Sequence, residues 1–203
     1  MKTINFIFRV HQRSNLKRYR FFDIGNDHYY YDDYADEMAV RQNTDLCYLE
    51  ANRTLLEMIK SSNGKFKVSF AISGLALEQF ERYAPEVIDS FQELAKTGSV
   101  EFLATPNAHS LASVYDADEF AIQTKLQTNK IKQLFGKTPT TFANTALIYS
   151  DEIGDEIAKQ GYKTIMIEGA KHIMGWKSPH YVYGHAYNSK VKLLVRDNKL
   201  SDD

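Results

Sequence analysis

The sequence of 203 residues contains one cysteine, one tryptophan and four prolines, and it has almost no net charge. Because Cys47 is the only cysteine, no internal disulfide can form, and the fold does not depend on an oxidising compartment. The helical pattern around Cys47 predicts a small buried side chain. The net charge of −1 provides no strong field for nucleic acid or for an acidic membrane surface, so neither is expected as a partner.

Long apolar runs are also missing. No segment approaches the roughly 18 consecutive apolar residues of a membrane-spanning helix, and the opening segment MKTINFIFRVHQ lacks the apolar core of a secretory signal. We therefore expect a cytoplasmic protein without a membrane partner. Repeats and low-complexity tracts are absent too, and the length and hydrophobic content of 43% suit one domain with a sizeable core.

Short apolar runs alternate with helical patterns along the chain. The runs predict strands at 5–10, 67–72, 100–104, 141–145 and 164–167, with 192–196 as a sixth. Helical patterns cover about 33–61, and further helices begin at Pro85, at Asp116 or Asp118, and at Ser150. This order predicts an α/β fold with a parallel sheet, either a barrel or an open doubly wound sheet.

Polar loops follow successive predicted strands. His11, the segment 105–109, Ala146 and Glu168 each come directly after a strand. Because the carboxyl ends of barrel strands carry function, these loops predict one binding face. The first strand is not followed by a phosphate-cradling glycine pattern, which disfavours nucleotide binding. No histidine pair has the spacing of metal ligands, so neither a metal nor a cofactor is predicted.

Five segments resemble, in chain order, motif regions of the glycoside hydrolase family 57 α-amylases. HQRSNLKRYRFFDIGNDHYYYDD, residues 11–33, resembles the loop that opens with His-Gln-Pro, and GSVEFLATPNAHSLASVY resembles a Gly-x-Val-Glu strand whose following loop ends in His-Ser-Leu. TFANTALIYSDE resembles the region that usually carries Asn-Thr-Glu-Leu-Ile-Tyr. EGAKHIMGWKSPHYVY and LLVRDNKLSDD resemble the two regions that follow. The match runs in order along nearly the whole chain.

The resemblance implies an incomplete (β/α)7 barrel and retaining chemistry on α-glucans. The family uses a glutamate nucleophile on the fourth strand and an aspartate acid/base from a later strand, about 5 Å apart. Ala146 stands at the nucleophile position, Arg13 replaces the usual proline, and Thr105 replaces a common glutamate. The chain stops at Asp203, before the region of the acid/base. We expect one catalytic-type domain over 1–203, C-terminally incomplete, with about five or six strands and no intact catalytic residue.

The resemblance and the loop positions also indicate substrate-binding residues. These candidates are His11, Gln12, His109, Glu168 and Trp176. His11 is expected to contact sugar rather than only backbone, and His109 either contacts sugar or orients its loop. Trp176 is either a platform for a sugar ring or a core plug under its loop.

Two carboxylates on or after the predicted strands need partners. Glu168 is expected to pair with Lys171 or His172, or to contact a sugar hydroxyl. Glu101 is expected to face the barrel interior, where a carboxylate needs a partner such as an arginine or a tyrosine.

Three functional hypotheses remain open at this point. The leading one is an inactive family 57 scaffold that binds an α-1,4-glucan or maltooligosaccharide. The second is a retaining α-amylase or 4-α-glucanotransferase that is active in its full-length or unmutated form. The third is a non-catalytic carbohydrate-binding or protein-interaction scaffold, with homo-oligomers left open.

Overall fold

The computed structural model describes residues 3–202. Its strands are β1 (Ile7–Val10), β2 (Val68–Ile72), β3 (Val100–Leu103), β4 (Thr141–Ala143), β5 (Thr164–Ile167), β6 (Val182–Gly184) and β7 (Lys192–Val195). Its α-helices are α1 (Asp33–Asn43), α2 (Leu49–Ser61), α3 (Gly74–Tyr83), α4 (Pro85–Lys96), α5 (Ala112–Tyr115), α6 (Ala117–Phe135), α7 (Asp151–Lys159), α8 (Lys171–Met174) and α9 (Asn198–Ser201). A π-helical turn, Thr44–Tyr48, joins α1 to α2, and 3-10 turns lie at Phe21–Asp23 and Thr145–Leu147.

The strands form two sheets that meet at one isolated bridge. β1, β2 and β3 pair in parallel, as do β4, β5 and β7, while β6 adds to β7 in the antiparallel direction. Between the sheets, Ala104 donates to the carbonyl of Thr141 and accepts from the N–H of Ala143, both at 2.9 Å. Six strands thus run parallel in residues 3–202, which confirms the incomplete (β/α)7 barrel with helices between the strands.

Side-chain caps explain where several helices begin. Asp116 accepts from the N–H groups of Asp118 and Glu119 at the start of α6, and Ser150 caps α7 through Ile153. Both caps were expected from the sequence. Other elements were not expected. They include α3, whose residues are mostly buried, and β6 and the four-residue helices α5, α8 and α9, which are too short to give a periodic signal.

Two apolar layers cover the faces of the first sheet. On the outer face, aromatic rings pack between the strands and helices, as in the stacked pair of Phe102 and Phe135 with centroids 4.4 Å apart. On the inner face the cluster is made of smaller side chains: Ala71, Leu103, Ala143, Leu147 and Met166. The small inner residues leave room for polar groups at the carboxyl ends of the strands.

A buried amide on α6 holds the ends of β2 and β3 together. Gln127 has no solvent-exposed surface, and its Nε2 donates to the carbonyls of Ile72 at 2.8 Å and Leu103 at 3.3 Å. Its Oε1 accepts from the backbone N–H of Thr105 at 3.3 Å. The side chain therefore replaces the strand hydrogen bonds that would otherwise be missing where the two strands end.

One expectation about burial is wrong. Cys47 lies in the π-helical turn and is exposed, because the extra residue of that turn rotates it away from the buried face that carries Thr44. Within residues 3–202, no helix combines the length and the apolar character needed to cross a bilayer. The cytoplasmic setting stays a prediction.

The Gln127→Leu variant tests the buried amide. We expect it to lower the free energy of unfolding by about 2–4 kcal/mol, because the substitution removes three hydrogen bonds and strands buried backbone groups. Urea denaturation measures this loss. Gln133→Leu, at an exposed position on the same helix, is the matched control and should change the free energy of unfolding by no more than about 0.5 kcal/mol. Equal stability of the two variants would contradict the assignment.

Candidate functional site

Strand register brings the predicted loops to one end of the barrel. Arg9 pairs with Ala71 across β1 and β2, and Ala71 belongs to the inner cluster, so the Arg9 side chain faces the interior. On the other sheet, Met166 belongs to the same cluster, and Glu168 lies two residues further on the same face. The carboxyl ends of the parallel strands, with the loops that follow them, therefore lie at one end of the barrel, as expected for this architecture.

A pair of imidazole rings lies at the end of β1. The rings of His11 and His109 stack with centroids 4.4 Å apart and an interplanar angle of 24°. The Nδ1 of His11 shares a hydrogen bond of 2.8 Å with the hydroxyl of Ser73, which also caps α3. The structure thus brings together two of the predicted substrate-binding residues and fixes one ring by a side-chain bond rather than by backbone.

Burial and neighbouring charge keep both rings neutral at pH 7. Burial lowers the pKa of His109 to about 4, with further contributions from His11 and Arg9. Burial and the charge of Arg9 also lower the pKa of His11. Each neutral ring offers one N–H donor and one acceptor, which suits hydroxyl groups better than carboxylates.

The loop that carries His109 is held against the start of α3. A side chain at Gly74 would place its Cβ 1.7 Å from the Oδ1 of Asn107, so only glycine allows this approach. His109 itself has φ = 53°, a left-handed conformation that non-glycine residues adopt at some cost. This backbone strain fits a loop that is shaped to present a side chain.

Gln12, the next residue after His11, points into the protein. It is buried, and its Nε2 donates to the hydroxyl of Tyr48 at 3.0 Å. The geometry therefore makes Gln12 an anchor for the loop after β1, a role that adjacency to His11 in the sequence did not indicate.

The end of β4 carries the position where the family resemblance places a nucleophile. Asn144 is fully buried; its Nδ2 donates to the Ser113 hydroxyl and to the Ile148 carbonyl, both at 2.9 Å. Ala146 follows with φ = 51° and ψ = 18°, and its side chain is exposed. A buried amide thus holds a tight left-handed turn that presents a methyl group. The hydroxyl of Thr145 is buried and has no hydrogen-bond partner within residues 3–202.

The carboxylate at the end of β5 has a partner that the sequence did not indicate. Glu168 accepts from Arg196 at 3.0 Å rather than from Lys171 or His172, so the expected pairing is wrong, and contact with a sugar hydroxyl stays a prediction. The physical reason is that β5 and β7 are neighbours, which places position 196 beside position 168. A Cβ at Gly169 would lie 2.5 Å from the Arg196 carbonyl, so glycine is needed there.

Arg9 is a functional candidate that the sequence reasoning missed. Burial and the charge of Arg196 lower its pKa, while Glu168 raises it. These interactions place the guanidinium within the field of the groups that come from the other sheet. The signal in the sequence was the alternation of the strand, which puts Arg9 on the same face as Ile7 and opposite to Phe8 and Val10.

The segment after β5 projects a tryptophan into solvent. Trp176 is 93% exposed, which excludes the interpretation as a core plug. It follows Gly175, whose φ of 57° and ψ of −119° are available only to glycine. The segment is tied back where the Nε2 of His180 lies 2.6 Å from the Oδ2 of Asp197. Trp176 is thus an exposed flat surface on an anchored loop.

Two further predicted groups have ordinary structural roles. Glu101 accepts from the hydroxyl of Thr141 at 2.7 Å, so its partner is a threonine rather than an arginine or a tyrosine. The backbone of Thr105 is held by Gln127. Across residues 3–202, no group of three or more His, Cys, Asp or Glu side chains is placed to hold a metal ion.

Comparison with known proteins decides the family. The family model described as "Glycosyl hydrolase family 57" matches residues 5–203. The chain belongs to glycosyl hydrolase family 57. A Methanocaldococcus jannaschii protein named "Putative alpha-amylase" is 34% identical over an alignment of 203 positions, which covers 98% of this family 57 chain and 42% of that protein. The chain therefore spans less than half the length of this relative.

Solved structures of family 57 enzymes share the fold. The 4-alpha-glucanotransferase of Thermococcus litoralis superposes with a TM-score of 0.69 at 18% identity, covering 98% of this chain and 28% of that one. The GH57-type branching enzyme of Pyrococcus horikoshii gives 0.67 at 13% identity, covering 97% and 46%. At these identities the likeness concerns the fold.

The lowered pKa of His109 predicts a pH dependence of stability. The pKa of His109 in the folded state is about 4, below the ordinary value of 6.5. The contribution of its neutral ring to the free energy of unfolding is therefore fully present above pH 6.5 and is lost as the pH falls towards 4. We expect the free energy of unfolding of His109→Gln to change less between pH 6.5 and pH 4 than that of the original protein. Urea denaturation at pH 7, 5.5 and 4 measures it, and the exposed His172→Gln is the control. Parallel profiles for both variants and the original protein would contradict the prediction.

Proposed function

We propose that this family 57 chain binds an α-1,4-glucan or maltooligosaccharide at the carboxyl end of its strands and does not hydrolyse it. Ala146 is the observation that carries the proposal. Its methyl group occupies the exposed turn where the family resemblance places the attacking glutamate, while the neighbouring polar groups remain organised. A methyl group can neither attack a sugar carbon nor accept a proton.

The remaining polar groups favour a neutral ligand. His11 and His109 supply hydrogen-bonding edges without charge, and their stacked rings present flat surface. The exposed Trp176 ring suits the C–H face of a glucose unit. The net charge of −1 fits a neutral polymer better than nucleic acid.

The nearest carboxylate is a poor substitute for the missing nucleophile. Glu168 is engaged by Arg196, which would have to release it before it could attack. Retaining hydrolysis also needs two carboxyl groups about 5 Å apart. Loss of a covalent nucleophile commonly removes several orders of magnitude in rate, and each tenfold corresponds to about 1.4 kcal/mol of barrier. The groups at this end therefore support binding better than catalysis.

A protein-interaction scaffold has one observation in its favour. β1 is at the end of the strand order in residues 3–202, and its Phe8 is 40% exposed. An uncovered strand edge is able to pair with another chain. Light scattering tests this second candidate, because a stable monomer at high protein concentration would count against it.

Glucan binding is tested by calorimetric titration with maltoheptaose. We expect heat of binding at millimolar ligand, and we expect His11→Ala to weaken the affinity about tenfold or more, because it removes both a hydrogen-bonding edge and the stacking partner of His109. The control is His172→Ala, on the exposed helix α8. Absence of heat for the unmodified chain would sink the proposal.

Absence of hydrolysis is tested with soluble starch. We expect the 203-residue chain to release reducing sugar at the rate of the buffer alone. Ala146→Glu in the same chain should also stay at background, because one restored carboxylate does not supply the second that retention needs. Measurable starch breakdown by the unmodified chain would overturn the inactive assignment, and activity of the variant alone would favour the hypothesis of an enzyme that is active in its unmutated form.

A further inference from the structure

One guanidinium on the inner face of the barrel lacks a direct counter-ion. Arg9 faces the interior beside Ala71, and among residues 3–202 it forms no ion pair and no side-chain hydrogen bond. The charged neighbours that act on it are Arg196 and Glu168. Arg196 already has two carboxylate partners, Glu168 and Asp202. Arg9 is exposed to solvent, so a ligand can reach its guanidinium, and an anion on that ligand would supply the missing partner.

A buried hydroxyl at the same end of the barrel also lacks a partner. Thr145 is 6% exposed, and its Oγ1 has no hydrogen-bond partner within residues 3–202. It comes two residues after Ala143, which belongs with Ala71 to the inner apolar cluster. Buried hydroxyls are rarely left unsatisfied, so this unpaired donor, next to the exposed Ala146, points to an acceptor that arrives with the ligand.

The imidazole pair completes the set of donors. His109 lies close enough to Arg9 for the charge of Arg9 to disfavour its protonation, and it stacks on His11. Neutral rings donate N–H groups without adding positive charge, so they support an anion while Arg9 supplies the charge. The carboxylate that would otherwise occupy this region is missing, because the position is Ala146.

We propose that the carboxyl end of the barrel strands binds an anionic sugar. The phosphate or carboxylate of the ligand is held by Arg9 and by hydrogen bonds from Thr145 and His109. This rests on the proposed glucan binding and narrows it to glucose units that carry an acidic substituent. The charge of the substituent takes the place of the absent glutamate carboxylate. Guanidinium groups suit both kinds of anion, because their paired N–H groups match two oxygen atoms.

Calorimetric titration at low salt in a phosphate-free buffer tests the proposal. The probes are glucose 6-phosphate, glucuronate, glucose and inorganic phosphate. We expect glucose 6-phosphate or glucuronate to bind at least tenfold more tightly than glucose, and more tightly than inorganic phosphate. Preference for the phosphate sugar alone identifies phosphate as the substituent, and preference for both identifies a site for either anion.

Two variants test whether the preference for acidic sugars over glucose depends on the site around Arg9. Arg9→Gln should reduce the ratio of the affinities for glucose 6-phosphate and glucose to about one, whereas Arg18→Gln, an exposed arginine of the loop after β1, should leave it unchanged. Ala146→Glu should also abolish the preference, because its carboxylate competes for Arg9. Melting curves by circular dichroism show whether each variant is folded, and Ala146→Glu tests the site even where Arg9→Gln does not fold.

The outcomes separate this proposal from glucan binding itself. Equal affinity for the acidic sugars and for glucose, or a preference that survives in both variants, overturns the anion site while binding of maltoheptaose is unaffected. Inorganic phosphate binding as tightly as glucose 6-phosphate overturns the assignment of a sugar ligand. Binding of glucose 6-phosphate that depends on Arg9, without any heat from maltoheptaose, supports the anionic ligand and rejects the neutral glucan.

Discussion

The backbone bridge between Ala104 and Phe142 is the constraint on which the candidate site depends. Its two hydrogen bonds of 2.9 Å are the sheet contacts that join the three strands carrying Arg9 and His11 to the strands carrying Glu168. Phe142 is fully buried and packs on the ring of Phe120, with centroids 5.5 Å apart, so apolar contacts protect the bridge from water. Gln127 fixes the ends of β2 and β3 within the first sheet, and the bridge sets the register of the second sheet against the first. The strand-end loops of both sheets therefore lie at one end of the barrel.

Much of this architecture follows from local sequence patterns. The strand Thr164–Ile167 has the expected bounds, and the helices capped by Asp116 and Ser150 begin where their side chains predict. These features depend on residues close in sequence, so periodicity and capping rules can find them. The parallel order then predicts which strand ends carry functional loops, and the family resemblance adds the position of Ala146.

The rest depends on contacts between distant residues. Glu168 pairs with Arg196, 28 residues away, because the hairpin of β6 and β7 places β7 directly beside β5. Cys47 is exposed because one extra residue in a π-helical turn changes which side chains face the core. No residue type in this segment signals the extra residue. Arg9 was missed because its importance comes from the charges around it. Neither pairing partners nor local fields can be read from spacing alone.

Catalysis and sugar binding depend on different groups at this end of the barrel, and Ala146 bears on the first of them. The turn has a left-handed backbone held by Asn144, and the side chain that it exposes is a methyl group. Attack and protonation depend on two carboxylates, and losing one removes most of the rate. Binding depends on many weaker contacts, and the stacked histidines do not involve the lost group. In the proposed anion site, a carboxylate at position 146 would repel a negatively charged ligand, and alanine does not. The proposed absence of hydrolysis and the proposed preference for acidic sugars therefore follow from the same residue.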